Sequence, residues 1–190
     1  MTSFLIGITC WLLCLGQTTV LACGKERWAV KVGLDQDAWK VAALSKPSSI
    51  ATLIALPAPK SPNKQPDTRY APWELQTLSV LGTLVLIKQE EDNDYHIVLQ
   101  NDQRQTMIVE AVSPSCAIGS RFLPAITAVR IAIDAFFHGP ITKPFRPQGV
   151  QVMATGVVFF DQIHGQTGVA RNGIELHPLI DLTFLTTGSR

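Results

Sequence analysis

From residue 74 onward, apolar side chains recur with a period of two in five separate runs, and this alternation limits the fold more than any other feature of the chain. Leu78, Val80, Leu84 and Leu86 share one parity with Gly82 inside the run, which predicts one long strand, bent or bulged at the glycine. Glu90, Glu91, Asp92, Asn93 and Asp94 read as an acidic turn, 95–100 as a second strand, 101–105 as a turn and 106–112 as a third strand. The period then changes once. Over 124–138, Ile126, Val129, Ile133, Phe136 and Phe137 fall on one helical face, with Arg130 and Asp134 four apart on the other. Pro124 suits the first turn of that helix, and Gly139-Pro140 ends it. Two more strands follow. The run 150–160 carries Val150, Val152, Ala154, Gly156, Val158 and Phe160 in one register, and 174–185 does the same with Ile174, Leu176, Ile180, Leu182 and Phe184.

The order β-β-β-α-β-β resembles that of an OB-fold, a five-stranded, partly open barrel. A long, bent first strand suits that barrel, because the strand must curve through both of its halves. The resemblance covers 74–186 and is one of pattern; a small β-sandwich is the alternative. The expected organisation is a signal peptide over 1–22, an N-terminal arm and linker over 23–72, and a mainly β, OB-fold-like barrel over 73–190. In the arm, Asp35 suits the cap of a short helix over 35–41, and 48–56 suits another, while 57–66 is a polar, proline-rich linker.

The leader has an uncharged start, an apolar stretch from Phe4 to Leu15 and small residues near Ala22, too short a stretch for a stable membrane span. Export to the periplasm or the medium follows as the expectation, with no membrane span after removal of the leader. Of four cysteines, Cys10 and Cys14 leave with the leader, so Cys23 and Cys116 are expected to form a disulfide. The rival reading takes Val20-Leu21-Ala22-Cys23 as a loose lipobox with a lipid anchor on Cys23. The formal charge of +1 argues against broad attraction to nucleic acid or anionic lipid, although a local basic patch is compatible with it.

The densest polar cluster runs from His164 to His177. If the last strand buries Ile174 and Leu176, alternation sends Glu175 and His177 together to the opposite face. His164 and Asn172 lie in the glycine-rich loop before that strand. In an OB-fold this loop sits beside the one joining the first two strands, and that end of the barrel binds ligands. Asp92, Asp94 and His96 are thereby expected to meet His164, Asn172, Glu175 and His177. Imidazoles and carboxylates in one place suit general acid–base chemistry, with Glu175, His177 and His164 as the catalytic candidates, or a divalent metal on His164, Glu175 and His177. The same residues equally suit a structural network, since loop polar groups often satisfy one another.

The phrase Gly156-Val157-Val158-Phe159-Phe160-Asp161, followed by His164-Gly165-Gln166-Thr167-Gly168-Val169-Ala170 and Asn172-Gly173-Ile174-Glu175-Leu176-His177-Pro178, resembles segments of a family of secreted bacterial proteins. Glu26-Arg27-Trp28 with Val30-Lys31 resembles another segment of the same family. The resemblance marks these positions and brings no activity with it. No nucleophile elbow, P-loop, dinucleotide fingerprint, Cys-x-x-Cys pair or His-Glu-x-x-His motif is present. Three readings stand. The first is an exported binding module for an oligonucleotide, oligosaccharide or peptide, with Trp73, Tyr95, Phe159 and Phe160 either stacking on the ligand or serving as core. The second is a metal-assisted hydrolase of the nuclease or phosphodiesterase type. The third is an interaction protein that docks a partner through its arm.

Overall fold

Among the described residues of a computed structural model, 23–60 and 67–185, six strands form one sheet. They are β1 (Lys46–Ser48), β2 (Thr77–Gln89), β3 (Tyr95–Gln100), β4 (Thr106–Ala111), β5 (Gln151–Phe160) and β6 (Ile174–Leu185). The expected leader and positions 61–66 of the linker lie outside the described residues. The sheet order is β1-β2-β3-β4-β6-β5, and β2 also pairs with β5, so five strands close into a barrel. All barrel pairings are antiparallel except β4 with β6, which is parallel. This is a mainly β, OB-fold-like barrel.

The barrel closes because β2 changes partner midway. Thr77 to Thr83 pair with β5, and Thr83 to Gln89 pair with β3. Gly82 permits the crossing, since a Cβ there would come within 3.1 Å of both Ile50 and Leu99. The register shifts just beyond, between Leu84 and Leu86. That bulge inverts the alternation: Leu78, Val80 and Leu84 point into the barrel core, and then Ile87 joins it in place of Leu86.

The helix α3 (Leu123–Phe136) starts on Pro124 and seats Val129 and Ile133 in the barrel core. Ile126 enters a second cluster with Val32, Val41, Phe122 and Val157. Phe136 and Phe137, expected on the same face, are half-buried at its margin. Phe136 stacks on Phe184 with centroids 3.8 Å apart, and Phe137 meets Phe145 edge-on. Arg130 and Asp134 both turn to Tyr95. The guanidinium lies over the Tyr95 ring and donates to the carbonyls of Asn93 and Ala111, while Tyr95 donates its hydroxyl to Asp134 at 2.9 Å.

The arm is bound into the barrel. Helices α1 (Trp28–Val32) and α2 (Ile50–Ile54) bury Val30, Val32, Ile50, Leu53 and Ile54, and β1 extends the sheet by pairing parallel to β2. The short helix expected over 35–41 is a 3-10 turn at Ala38–Lys40, and the Asp35 carboxylate both accepts from the Asp37 N–H and pairs with Arg69 at 2.6 Å. A second buried pair joins Arg27 to Glu74 at 2.6 Å, and Glu74 also accepts from the backbone N–H of Tyr70 and Phe160. Cys23 and Cys116 are bonded, which leaves Cys23 no thiol for the alternative lipid anchor. No helix among the described residues is long and apolar enough to cross a membrane.

Candidate ligand-binding pocket

Strand alternation builds the floor of the site. Ile97, Val109, Ile174 and Leu176 face the barrel core, so His96, Glu110, Glu175 and His177 face outward from β3, β4 and β6. His96 is paired directly across from Glu110, and Ile108 across from Glu175. Because β4 and β6 run parallel, Glu110 and His177 each lie two residues beyond that second pair.

Outward does not mean exposed. The arm and two loops wall in this face as a pocket of about 560 Å³. The arm contributes Cys23 to Glu26 and Lys31, the β2–β3 loop contributes Glu90, Glu91, Asp92 and Asp94, and the loop after β5 contributes Asp161, His164 and Gln166. Gly173, at φ 70°, lets that last loop turn tightly into β6, where a Cβ would run into the Asp161 carbonyl. At the pocket's other edge, the Cys23–Cys116 bond pins the arm against the segment that follows β4.

Eight carboxyl groups line this pocket against two lysines, so more than half of the chain's 15 acidic residues converge here although its formal charge is +1. Crowding and burial shift their protonation. Burial, reinforced by Asp92, pushes Asp94 up to about 7. Burial and then Asp94 hold Glu110 well above the ordinary carboxylate range, and burial with Asp161 and Glu110 does the same to Glu175. Burial and the nearby Lys31 ammonium keep His177 neutral by lowering its pKa well below 6.5. Burial works against a charged Lys31, but Asp161, Glu175 and Glu110 outweigh it and hold the ammonium above 10.5. Lys31 sits 3.3 Å from Asp161 Oδ2.

The hydrogen bonds of His96 fix its tautomer. Nε2 lies 2.8 Å from the Thr167 carbonyl, which can only accept, so Nε2 carries a hydrogen. Nδ1 lies 2.8 Å from Glu110 Oε1, so the imidazole and the carboxyl share a proton between them. His177 has no such support. Its Nε2 is 3.7 Å from Asp94 Oδ2 and its Nδ1 is 3.8 Å from Glu175 Oε2, both beyond hydrogen-bonding distance.

Six buried side-chain polar atoms among the described residues lack a hydrogen-bond partner. Five of them belong to residues lining this pocket: Asp94 Oδ2, Glu110 Oε2, Asp161 Oδ1 and both ring nitrogens of His177. Buried polar groups are nearly always satisfied, so such a concentration calls for a partner from outside the chain.

Asp92, Asp94, His96, His164, Glu175 and His177 thus share one pocket, with His164 at its exposed rim. Asn172 stands elsewhere. Its side-chain amide donates to the carbonyls of Leu53 and Leu56 and ties the loop to the end of α2. Among the described residues, no group of three His, Cys, Asp or Glu side chains is arranged to hold a metal ion, the set His164, Glu175 and His177 included. Tyr95, Phe159 and Phe160 are buried and Trp73 packs against the core, so none of the four is a free stacking platform. Sequence reasoning does not place Glu110 in the site, and it marks Lys31 and Asp161 only through the family-like segments, without assigning them to it. Glu110 has a visible signal, a single carboxylate inside the apolar run Met107-Ile108-Val109-Glu110-Ala111-Val112. No protein-family model matches the chain, and no curated protein or solved structure does.

Proposed function

We propose that the chain is an exported binding protein that holds a small polar ligand between the arm and the outer face of the barrel. The observation that carries this is the set of partnerless buried polar atoms on Asp94, Glu110, Asp161 and His177, four residues that line one pocket. Export rests on the leader pattern and on the Cys23–Cys116 bond, which suits an oxidising compartment. Of the ligand classes that suit this barrel, an oligonucleotide fits worst, because phosphates are drawn to basic grooves with stacking aromatics and this pocket is acidic. Peptide and oligosaccharide remain. Their N–H and O–H groups would supply the donors that the carboxylate oxygens lack.

A second reading, hydrolysis, is favoured by one observation. An imidazole at His177 that burial holds below its ordinary range and a carboxyl at Glu175 that burial holds above its own project from the same strand, a base and an acid set apart by their surroundings. A thermal-shift panel of short peptides, chitooligosaccharides and a ten-nucleotide single strand tests the binding reading, with turnover followed in parallel. A ligand should raise the unfolding midpoint of the wild type and leave His177→Ala and Glu175→Gln unmoved. Equal responses in wild type and both variants would remove the pocket from consideration, and product formation would favour hydrolysis.

A further inference from the structure

Resting on the binding reading, we infer that the pocket takes an organic cation: the ammonium or guanidinium end of a basic peptide. Three of the partnerless atoms, Asp94 Oδ2, Glu110 Oε2 and Asp161 Oδ1, are carboxyl oxygens. They belong to the β2–β3 loop, to β4 and to the loop after β5, so two walls and the floor of the pocket each hold an acceptor without a donor. An ammonium carries three donors and a guanidinium five, and either can meet several carboxylates at once.

The chain's own cations do not fill this role. Lys31 reaches Asp161 through the other oxygen, Oδ2, and Arg130 spends its guanidinium on the carbonyls of Asn93 and Ala111. An anion would enter against eight carboxyl groups and find two lysines. A peptide is favoured over a bare amine by His177, whose neutral ring offers one N–H and one lone pair, both unused. Those match a backbone carbonyl and N–H beside the charged group. The volume of about 560 Å³ lies within the range of small-ligand sites, roughly 300–1,000 Å³.

Binding a cation requires ionised carboxylates, so it should release protons. Asp94 faces Asp92 on its own loop, Lys31 of α1, Glu110 of β4, Arg130 of α3 and His177 of β6, and its carboxyl is pushed up to about 7. Affinity for a cation that needs it ionised should therefore rise about tenfold from pH 6 to pH 8.

The test is isothermal titration of the disulfide-bonded protein with N-acetyl-trilysine amide. Spermidine, N-acetyl-triglycine amide, chitotriose and calcium chloride serve as parallel probes. Expected are binding of the trilysine peptide, proton release on binding, and the tenfold rise with pH. Asp94→Asn, which keeps the oxygen that accepts from Ser113, should weaken binding at pH 8 at least tenfold and flatten the pH profile. Glu110→Gln should weaken it as well, and both variants should retain the wild-type circular dichroism spectrum. Equal binding of spermidine would overturn the peptide in favour of a bare amine held by charge alone. Chitotriose or triglycine binding that is independent of pH and lost in His177→Ala would overturn this inference while leaving the binding reading intact. Calcium binding in preference to the peptide would overturn it in favour of a metal site. Failure of every probe in wild-type protein of confirmed fold would overturn it outright.

Discussion

Replacing Asp94 by asparagine should stabilise the protein at pH 8.5 and change little at pH 4, an unusual sign for a substitution at a buried polar residue. Native Asp94 holds its proton up to about pH 7, whereas in the unfolded chain it does so only to the ordinary 3.8. Between these values folding takes up a proton, so this residue's contribution to stability falls as pH rises and levels off above pH 7. Three powers of ten in proton affinity correspond to roughly 4 kcal/mol, an upper bound on what ionised Asp94 costs the empty pocket. Asparagine cannot ionise, yet its Oδ1 can still accept from the Ser113 N–H that now lies 2.7 Å from the carboxylate. His177 opposes the trend in both proteins, since a group kept neutral in the fold adds stability as pH rises towards 6.5 and adds no more above it. Urea unfolding of both proteins at pH 4, 6 and 8.5 measures the effect. The difference in free energy between asparagine and aspartate should grow in favour of asparagine by up to about 4 kcal/mol across the series. A difference that stays constant with pH, or an asparagine protein less stable at pH 8.5, would refute the claim that burial protonates this carboxyl.

Protein isolated without reductant should show no alkylatable thiol at Cys23 or Cys116, by intact mass. Opening that 93-residue separation should lower stability by about 4–5 kcal/mol on the chain-entropy account. Ile133→Ala, at a fully buried helix position, should cost about 2–5 kcal/mol by chemical denaturation, and Phe136→Ala, half-buried against Phe184, should cost less. Equal losses would place Phe136 in the core after all. Glu74→Gln should destabilise by about 3–5 kcal/mol, because it leaves the Arg27 guanidinium buried without its carboxylate. An unchanged unfolding midpoint would show that the arm is not held through that pair.

The barrel was readable from residues 77–185 because most of each strand alternates and each turn carries its own polar run, although in β6 Leu179 takes the core position expected of Ile180. Residues 95–100 and 174–185 form strands with those same limits. Alternation fails at Leu86. Leu86 and Ile87 are both apolar, so nothing in the sequence shows that a bulge hands the interior position from one to the other. Strand β1 is three residues long and contains Pro47, which leaves no periodicity to detect. The arm reads as polar and proline-rich around its linker, yet Val30, Val32 and Ile50 are nearly or fully buried because the barrel offers them apolar surface. In the pocket, Asp94, His96, Glu175 and His177 were legible as polar residues at outward positions of recognisable strands and turns. Lys31 was not, since only the folded arm carries it across to Asp161, 130 residues away in sequence. Asn172 looks like a member of the cluster, but its partners are carbonyls of α2, and that pairing is set by how the arm packs.

The central claim is that arm and barrel face form one ligand site, and amide and imidazole NMR of the isotope-labelled protein tests it most directly. On saturation with N-acetyl-trilysine amide at pH 8, signals of Lys31, Asp94, Glu110 and His177 should shift together and saturate with one binding constant. Resonances around the separate groove at Phe137, Ile141 and Phe145 should stay still. Shifts confined to that groove, or small unsaturating shifts at exposed acids such as Glu91, would contradict it.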